Sequence, residues 1–237
     1  MRIGLRSLAI AVVILPGLMA PAVGQSQPSF PLTTEALQQR YTDEVTAHAR
    51  YGGYADQACN EGYPNIAHLF RALAASEAIH AGNFKRLLLK LDASPGAASA
   101  ALRSEPLDTR HNLQHAAEVE RDEIDNEYPG LLERINSEQH QEAITNITYA
   151  WKAEQQHRDL IVKLQKSAIR WFGRVVKRIE GGPSSFYVCA ICGSTLRELP
   201  TAECPICGHR ATHYSEIDPL PKSACAIPES GGDSDER

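Results

Sequence analysis

The chain has 237 residues, a formal charge of −5 and 43% hydrophobic residues, enough for one ordinary domain and a small appendage. So mild an acidity, with no basic cluster, excludes a polyanion such as nucleic acid as the natural partner. An aromatic content of only 6% alongside abundant helix formers suits an all-α core.

The first 24 residues read as an export signal: Arg2 and Arg6, a short apolar run from Leu8 to Leu15, then Ala22-Val23-Gly24 with small residues for cleavage. That run is too short for a comfortable membrane span, so cleavage is expected, with an uncleaved membrane anchor as the alternative. Cleavage after Gly24 leaves 22 basic against 29 acidic residues, a net of −7. A periplasmic destination follows, reached without a twin-arginine pair. Residues 25–33 form a Pro/Ser-rich leader.

Helical spacing begins near Thr33 or Thr34, either of which can cap a first helix with Glu35 in its first turn. Leu37, Tyr41, Glu44, His48, Tyr51, Ala55 and Ala58 make one row, with Glu44 as a carboxylate of buried type. A hydrogen-bonded core role suits His48. Gly62 followed by Tyr63-Pro64 predicts a tight turn into the second helix. There Ile66, Phe70, Leu73, Glu77, His80, Phe84, Leu87 and Leu91 alternate by four and three, the seam of a packed helix. A glutamate in that seam costs several kcal/mol unless compensated, and Glu77 and His80, three residues apart, can point at one ion.

Asp92 to Leu107, rich in Ala and interrupted by Pro95, Gly96 and Pro106, reads as a crossover. Thr109 is expected to cap a third helix with the row Leu113, Ala117, Glu120, Ile124 and Leu131, Glu123 beside Glu120, and a bend at Tyr128-Pro129. A fourth helix runs from about His140 into the 170s. Ile144, Ile147, Trp151, Glu154, His157 and Ile161 follow helical spacing, so Glu154-x-x-His157 repeats the seam motif. Glu44 lies 33 residues before Glu77 and Glu120 lies 34 before Glu154. Two Glu-x-x-His helices plus a glutamate from each of two others is the ligand plan of ferritin-like di-iron four-helix bundles. Five carboxylates alone would repel one another and hold protons, whereas two ferrous ions leave the site nearly neutral. The bundle is placed at residues 34–172.

Residues 173–184, ending in Gly181-Gly182-Pro183-Ser184, form a linker. Beyond it Cys189-x-x-Cys192-Gly193 and Cys204-x-x-Cys207-Gly208 are two knuckles, placed in a small metal domain at residues 185–218. Four thiolates suit a mononuclear iron or a zinc, and two disulfides are a further reading in an oxidising compartment. Cys59, on the order of 22 Å along the helix from Glu44, is read as a small core residue. Cys225 falls in a tail (219–237) of disordered composition, either free or paired with Cys59. The histidines outside the two motifs and His48 are expected at the surface.

Asp43-Glu44…Arg50-Tyr51, Glu61-Gly62-Tyr63, Glu77-x-x-His80, Glu120-x-x-Glu123, Tyr128-Pro129, Glu154-x-x-His157 and the four cysteines together resemble rubrerythrins, over roughly residues 36–216. Only the Glu123–Glu154 gap looks one residue long. The resemblance implies a ferritin-like bundle joined to a β-rich rubredoxin-like domain. It also implies Glu77 and Glu154 bridging two irons, Glu44 and Glu120 as terminal ligands, and His157 on one iron. Glu123 and His80 would be an exchangeable pair, and Tyr51 and Tyr128 would bond the carboxylates. The implied activity is reduction of hydrogen peroxide to water by a di-iron peroxidase. Electrons would come through the iron held by Cys189, Cys192, Cys204 and Cys207, commonly across a homodimer, from an electron-donor protein the sequence does not identify. A ferritin-like iron-oxidising protein with a passive four-cysteine module is the alternative.

Overall fold

The computed structural model describes residues 29–96, 106–168 and 180–225. Residues 1–24, read above as an export signal, 25–28 of the leader, 97–105 of the crossover, 169–179 (the expected end of the fourth helix and most of the linker) and the last twelve residues lie outside them. Four helical rods form the bundle. The first two, α1 (Pro31–Asn60) and α2 (Pro64–Lys90), make a long hairpin. The turn works because Gly62 takes φ +78° and Pro64 opens α2 at the position where a missing N–H costs nothing.

Both predicted caps are displaced. Helix α1 starts at Pro31, before Thr33 and Thr34, and Glu138 from across the bundle accepts from the amides of Leu32 (2.9 Å) and Thr33 (2.8 Å). A distant carboxylate does what the local hydroxyls were expected to do. At α3 (Thr109–Asp122) the cap is Asp108, which accepts from the His111 amide at 2.9 Å, and not Thr109.

The third rod continues from α3 through a π-helical turn at Glu123–Glu127 into α4 (Tyr128–Ile135). The bend expected at Tyr128-Pro129 is thus a widened turn. In that register the Ile124 carbonyl would accept from residue 129, a proline with no N–H; the Trp151 indole donates to it instead, at 3.0 Å. A 3-10 turn and a left-handed Gln139 (φ +52°) lead into the fourth rod, α5 (Gln141–Ala168).

The seam is buried as its spacing requires, although Leu91, Tyr41, Ala117, Leu131, Ile144 and Trp151 are only half-buried, and His48, expected in the core, is exposed because its place in the row falls at the outer edge of α1. One apolar cluster gathers Tyr51, Ile66, Phe70, Leu73 and Ile161. Another gathers Leu37, Phe84, Leu87, Tyr128 and Ile147. Glu77 and His80 fall between Leu73 and Phe84, so the acidic layer is closed off by hydrocarbon on both sides.

The small domain is an antiparallel sheet of β1 (Tyr187–Cys189), β2 (Thr195–Leu196) and β3 (Tyr214–Glu216) in the order β2-β1-β3. Val188 pairs with Thr195 on one side and Ser215 on the other. It rests on α2 and α5, with Phe186 and Val188 joining the first apolar cluster. Cys59 and Cys225 form a disulfide, the second of the two readings of Cys225, and Cys59 also packs against the first apolar cluster. Two expectations are corrected here. The stretch from Pro219 to Cys225, expected to be disordered, is held to the bundle by Leu220 and Cys225 and ends in a 3-10 turn at Lys222–Cys225. His68 is not a surface residue: it has no exposed surface, and its ring meets Phe186 edge-on at 5.0 Å.

Candidate metal centres

Helical spacing brings the four predicted seam acids together from four rods. Glu44, Glu77, Glu120 and Glu154 are each at most 2% exposed, and His80 and His157 at most 1%. Their ligand atoms fall into two groups: Glu44, Glu77, His80 and Glu154, and Glu77, Glu120, Glu154 and His157. Glu77 and Glu154 belong to both. Within them His80 Nδ1 lies 3.0 Å from Glu77, 3.2 Å from Glu154 and 3.6 Å from Glu44. His157 Nδ1 lies 2.7 Å from Glu154, 3.2 Å from Glu77 and 3.8 Å from Glu120. The duplicated motif has become two four-donor nests back to back.

Electrostatics state the need for cations. Burial lifts the Glu44 carboxyl to about 7 and holds Glu120 well above the usual carboxylate range, each with neighbouring glutamates adding to the effect. Burial alone would lower the imidazoles, but Glu154 and Glu44 on one side and Glu77 and Glu154 on the other hold His80 and His157 well above their ordinary value. Glu120 Oε2 is buried with no hydrogen-bond partner, an unsatisfied carboxyl oxygen of the kind a metal completes. Carboxylate and imidazole donors in this number fit iron or manganese.

Two tyrosines tie the nests crosswise. Tyr51 on α1 donates to Glu120 Oε1 at 2.5 Å, and Tyr128 at the head of α4 donates to Glu44 Oε1 at 2.7 Å. Glu123 is not in either donor group. It lines an opening of about 220 Å³ with Asp43, Thr46, Arg50, Asp122 and Glu127. Of the pair expected to exchange, the imidazole is in a donor group and the carboxylate lines this separate pocket. His48 accepts no role there; its Nδ1 meets the Ala74 carbonyl at 2.7 Å.

The four sulfurs of Cys189, Cys192, Cys204 and Cys207 form a third nest. Cys189 and Cys207 Sγ are 3.9 Å apart and Cys192 and Cys204 Sγ 3.6 Å, free thiols near the spacing that ligation at about 2.3 Å in a tetrahedron demands. This sets aside the two-disulfide reading. Gly193 (φ +76°) and Gly208 (φ +70°) turn the chain back at each knuckle. A hydrogen bond from Cys192, helped by the Ile191 and Cys192 amides, brings Cys189 down to about 5. Burial raises Cys204, but the Cys207 and Ile206 amides and the Tyr214 hydroxyl more than reverse it.

Spacing alone did not show that the two centres adjoin. His80 Nε2 donates to the Cys192 carbonyl at 3.2 Å. That acceptor keeps a proton on Nε2, so Nδ1, which faces the carboxylates, is the nitrogen that a metal would take in place of its proton. The Thr195 hydroxyl donates to the Gly193 carbonyl at 3.0 Å and so accepts from His157 Nε2 at 3.3 Å, fixing the same tautomer there. Ser76 donates to the Gly193 carbonyl at 2.6 Å and Asn83 to that of Ile191 at 2.9 Å. Gln156 Oε1 accepts from the Thr195 amide at 3.0 Å. Ser76, Asn83 and Gln156 all lie within three residues of a seam Glu or His; the sequence offered no further signal for them.

A ferritin-like bundle with two carboxylate–histidine nests and an appended four-thiolate knuckle defines a di-iron protein carrying a rubredoxin-like domain. Residues 35–165 match the family model described as Rubrerythrin. Rubrerythrin-2 of Clostridium acetobutylicum is 38% identical over 178 residues, covering 75% of this chain and 92% of that one. Nigerythrin of Nitratidesulfovibrio vulgaris is 29% identical, over 78% of this chain and 86% of that one. The solved structure of fully reduced, all-ferrous nigerythrin superposes with a TM-score of 0.64 at 27% identity, over 84% of this chain and 91% of that one. The chain belongs to the rubrerythrin family. Its cofactors are accordingly an iron pair in the carboxylate–histidine nests and a rubredoxin-like iron in the four-cysteine nest.

Proposed function

We propose that this protein is a peroxidase that reduces hydrogen peroxide to water, with electrons passed from the four-cysteine iron to the iron pair. The observation that carries the reading is the abutment of the two centres, His80 Nε2 against the Cys192 carbonyl. A storage protein with a passive thiolate module has no use for that contact, so it counts against the iron-oxidising alternative.

Glu77 and Glu154, common to both donor groups, would bridge the irons. Glu44 with His80 would complete one site and Glu120 with His157 the other. Bound there, the pair supplies two electrons to one peroxide, which with two protons gives two waters. Around it the chain excludes water with the two apolar clusters and holds the phenolic protons of Tyr51 and Tyr128 on Glu120 and Glu44. Glu123 stands at the opening beside Arg50, where a small polar oxidant enters and where its carboxyl can take a proton from solvent.

Export to the periplasm belongs to the same reading. The Cys59–Cys225 disulfide supports it, since such bonds persist in oxidising compartments. There the electron donor has to be a small redox protein or quinol-linked carrier rather than a cytosolic nicotinamide enzyme. Stopped-flow oxidation of the fully ferrous protein tests the activity. Peroxide should oxidise the iron pair faster than dioxygen does, with the thiolate iron following; the reverse order of oxidants would remove the peroxidase assignment.

A further inference from the structure

The four-cysteine domain is tied to the bundle at both of its ends. On the way in, Glu180 accepts from the amides of Asn65 (2.8 Å) and Ile66 (3.2 Å) at the start of α2, and Ser184 bonds His68 at 2.9 Å. On the way out, Cys225 is joined to Cys59, in the last turn of α1 and 166 residues earlier in the chain. Between these ties Phe186, Val188 and Ile217 join the first apolar cluster, while at the iron-pair end the domain is seated through polar contacts: Ser76 and Asn83 on backbone carbonyls, Gln156 on Ser194 and Thr195, His80 on Cys192 and His157 on Thr195. Hydrogen bonds of this sort each add modest net stability and exchange readily with water. The end of the interface built from them, over the iron-pair site, is the end that opens most easily.

We propose that the Cys59–Cys225 disulfide is a positioning clamp that keeps the four-cysteine domain seated on the iron-pair site of its own chain. Cys225 lies nine positions after Glu216, the end of the sheet, with eight residues between them. They span at most about 30 Å when extended. With Cys225 fixed to Cys59, the sheet cannot leave to serve a second copy of the chain, and its effective concentration at His80 stays high. The same bond, by holding Cys192 and Thr195 in place, keeps both imidazole tautomers set. What the clamp is for rests on the electron relay proposed above; the connectivity of the bond does not.

The full-length, iron-loaded chain tests both parts. Without reductant, denaturing electrophoresis should show the single-chain mass, and peptide mapping after thiol blocking should yield Cys59 linked to Cys225. Dithiothreitol, itself oxidised to its cyclic disulfide, should convert the pair to two thiols. A covalent dimer, or both cysteines found blocked, overturns the own-chain clamp. In the Cys59→Ser/Cys225→Ser protein, iron content and the thiolate-iron spectrum should be unchanged. Deuterium exchange should rise across residues 76–83 and 191–195, and transfer from the thiolate iron should slow by about tenfold or more as the tether is lost. Unchanged exchange overturns the clamp whatever the transfer rate. Absence of transfer in the parent protein itself would instead count against the relay reading and leave the mass and exchange results to judge the clamp.

Discussion

Tyr51 and Glu120 sit 69 residues apart in the chain, on different helix hairpins, and share a buried 2.5 Å hydrogen bond. The reciprocal bond, Tyr128 to Glu44, makes each half of the bundle supply a phenol to a buried glutamate of the other half. Burial and the charge of Glu120 hold the Tyr51 hydroxyl protonated far beyond neutral pH, so it acts only as a donor. Tyr51→Phe removes one buried hydrogen bond and strands Glu120 Oε1, and should destabilise the metal-free bundle by about 1–3 kcal/mol in denaturant titration. With iron bound, Tyr51→Phe should disturb the Glu120–His157 iron and Tyr128→Phe the Glu44–His80 iron. Mössbauer spectra should then show one of the pair's two signals altered in each variant, and a different one.

Gly193 serves two demands at once. Its φ of +76° needs a glycine, and a Cβ there would stand 2.2 Å from His80 Nε2 and 2.6 Å from Ser76 Oγ. Left-handed backbone alone costs an alanine roughly 1–2 kcal/mol, whereas the contact with a buried imidazole forces the knuckle away from α2. Gly193→Ala should therefore keep three irons per chain yet slow transfer from the thiolate iron to the pair by more than tenfold, a factor worth about 1.4 kcal/mol per decade. Iron analysis with single-turnover absorbance measures both. Gly208 has the same backbone need (φ +70°) and nothing within 4 Å of its Cβ position, so Gly208→Ala should affect stability and leave transfer intact.

Periodicity made the buried acids legible. Glu77 and His80 interrupt an otherwise apolar seam, and Glu154 and His157 repeat the interruption, so the two nests follow from helical geometry. The knuckles were legible for a similar reason, since Cys-x-x-Cys-Gly fixes a local backbone. What spacing did not reveal were relations between distant segments. Glu138 caps α1 from more than 100 residues away, and Cys59 finds Cys225 across 166. His68 looked like a surface residue because its partners, Ser184 and the Ile217 carbonyl, belong to the docked domain. Pro129 suggested a bend, but not that the third rod would widen into a π turn with Trp151 satisfying the freed carbonyl.

His68 offers a test of that docking independent of iron. Its Nε2 donates to the Ile217 carbonyl at 2.6 Å and its Nδ1 accepts from Ser184 at 2.9 Å, so the ring is neutral in the docked state. Burial lowers its pKa, with Arg71 adding to the effect and the Ile217 carbonyl, Glu216 and Asp218 opposing it. A depressed histidine binds its proton more readily when released, so docking should be intact above pH 6.5 and weaken as pH falls below it. His68→Leu strands the Ile217 carbonyl and should cost about 1–3 kcal/mol, while abolishing that acid-side dependence. Thermal unfolding between pH 5 and 8, comparing the variant with the parent, reads both effects.

Removing the iron should make the bundle's stability fall with rising pH. Folding raises Glu44 to about 7 from its ordinary 4.5 and raises Glu120 and Glu123 as well, so the folded state holds protons that the unfolded chain gives up. His80 and His157 are raised too, and their contribution is complete below pH 6.5 and lost as pH climbs through the folded values. Glu77 and Glu154 act in the opposite sense, since their depressed carboxyls add stability above pH 4.5 that is lost toward acid. The metal-free protein should therefore be most stable between roughly pH 5 and 6.5 and lose stability toward pH 8. Iron reverses that slope, because the ions replace the protons and bind more tightly as these are removed. Calorimetry of chelator-treated and reloaded protein across this range should show the two melting temperatures diverging as pH rises. Parallel curves would mean that the carboxylates of the nests carry no protons to displace.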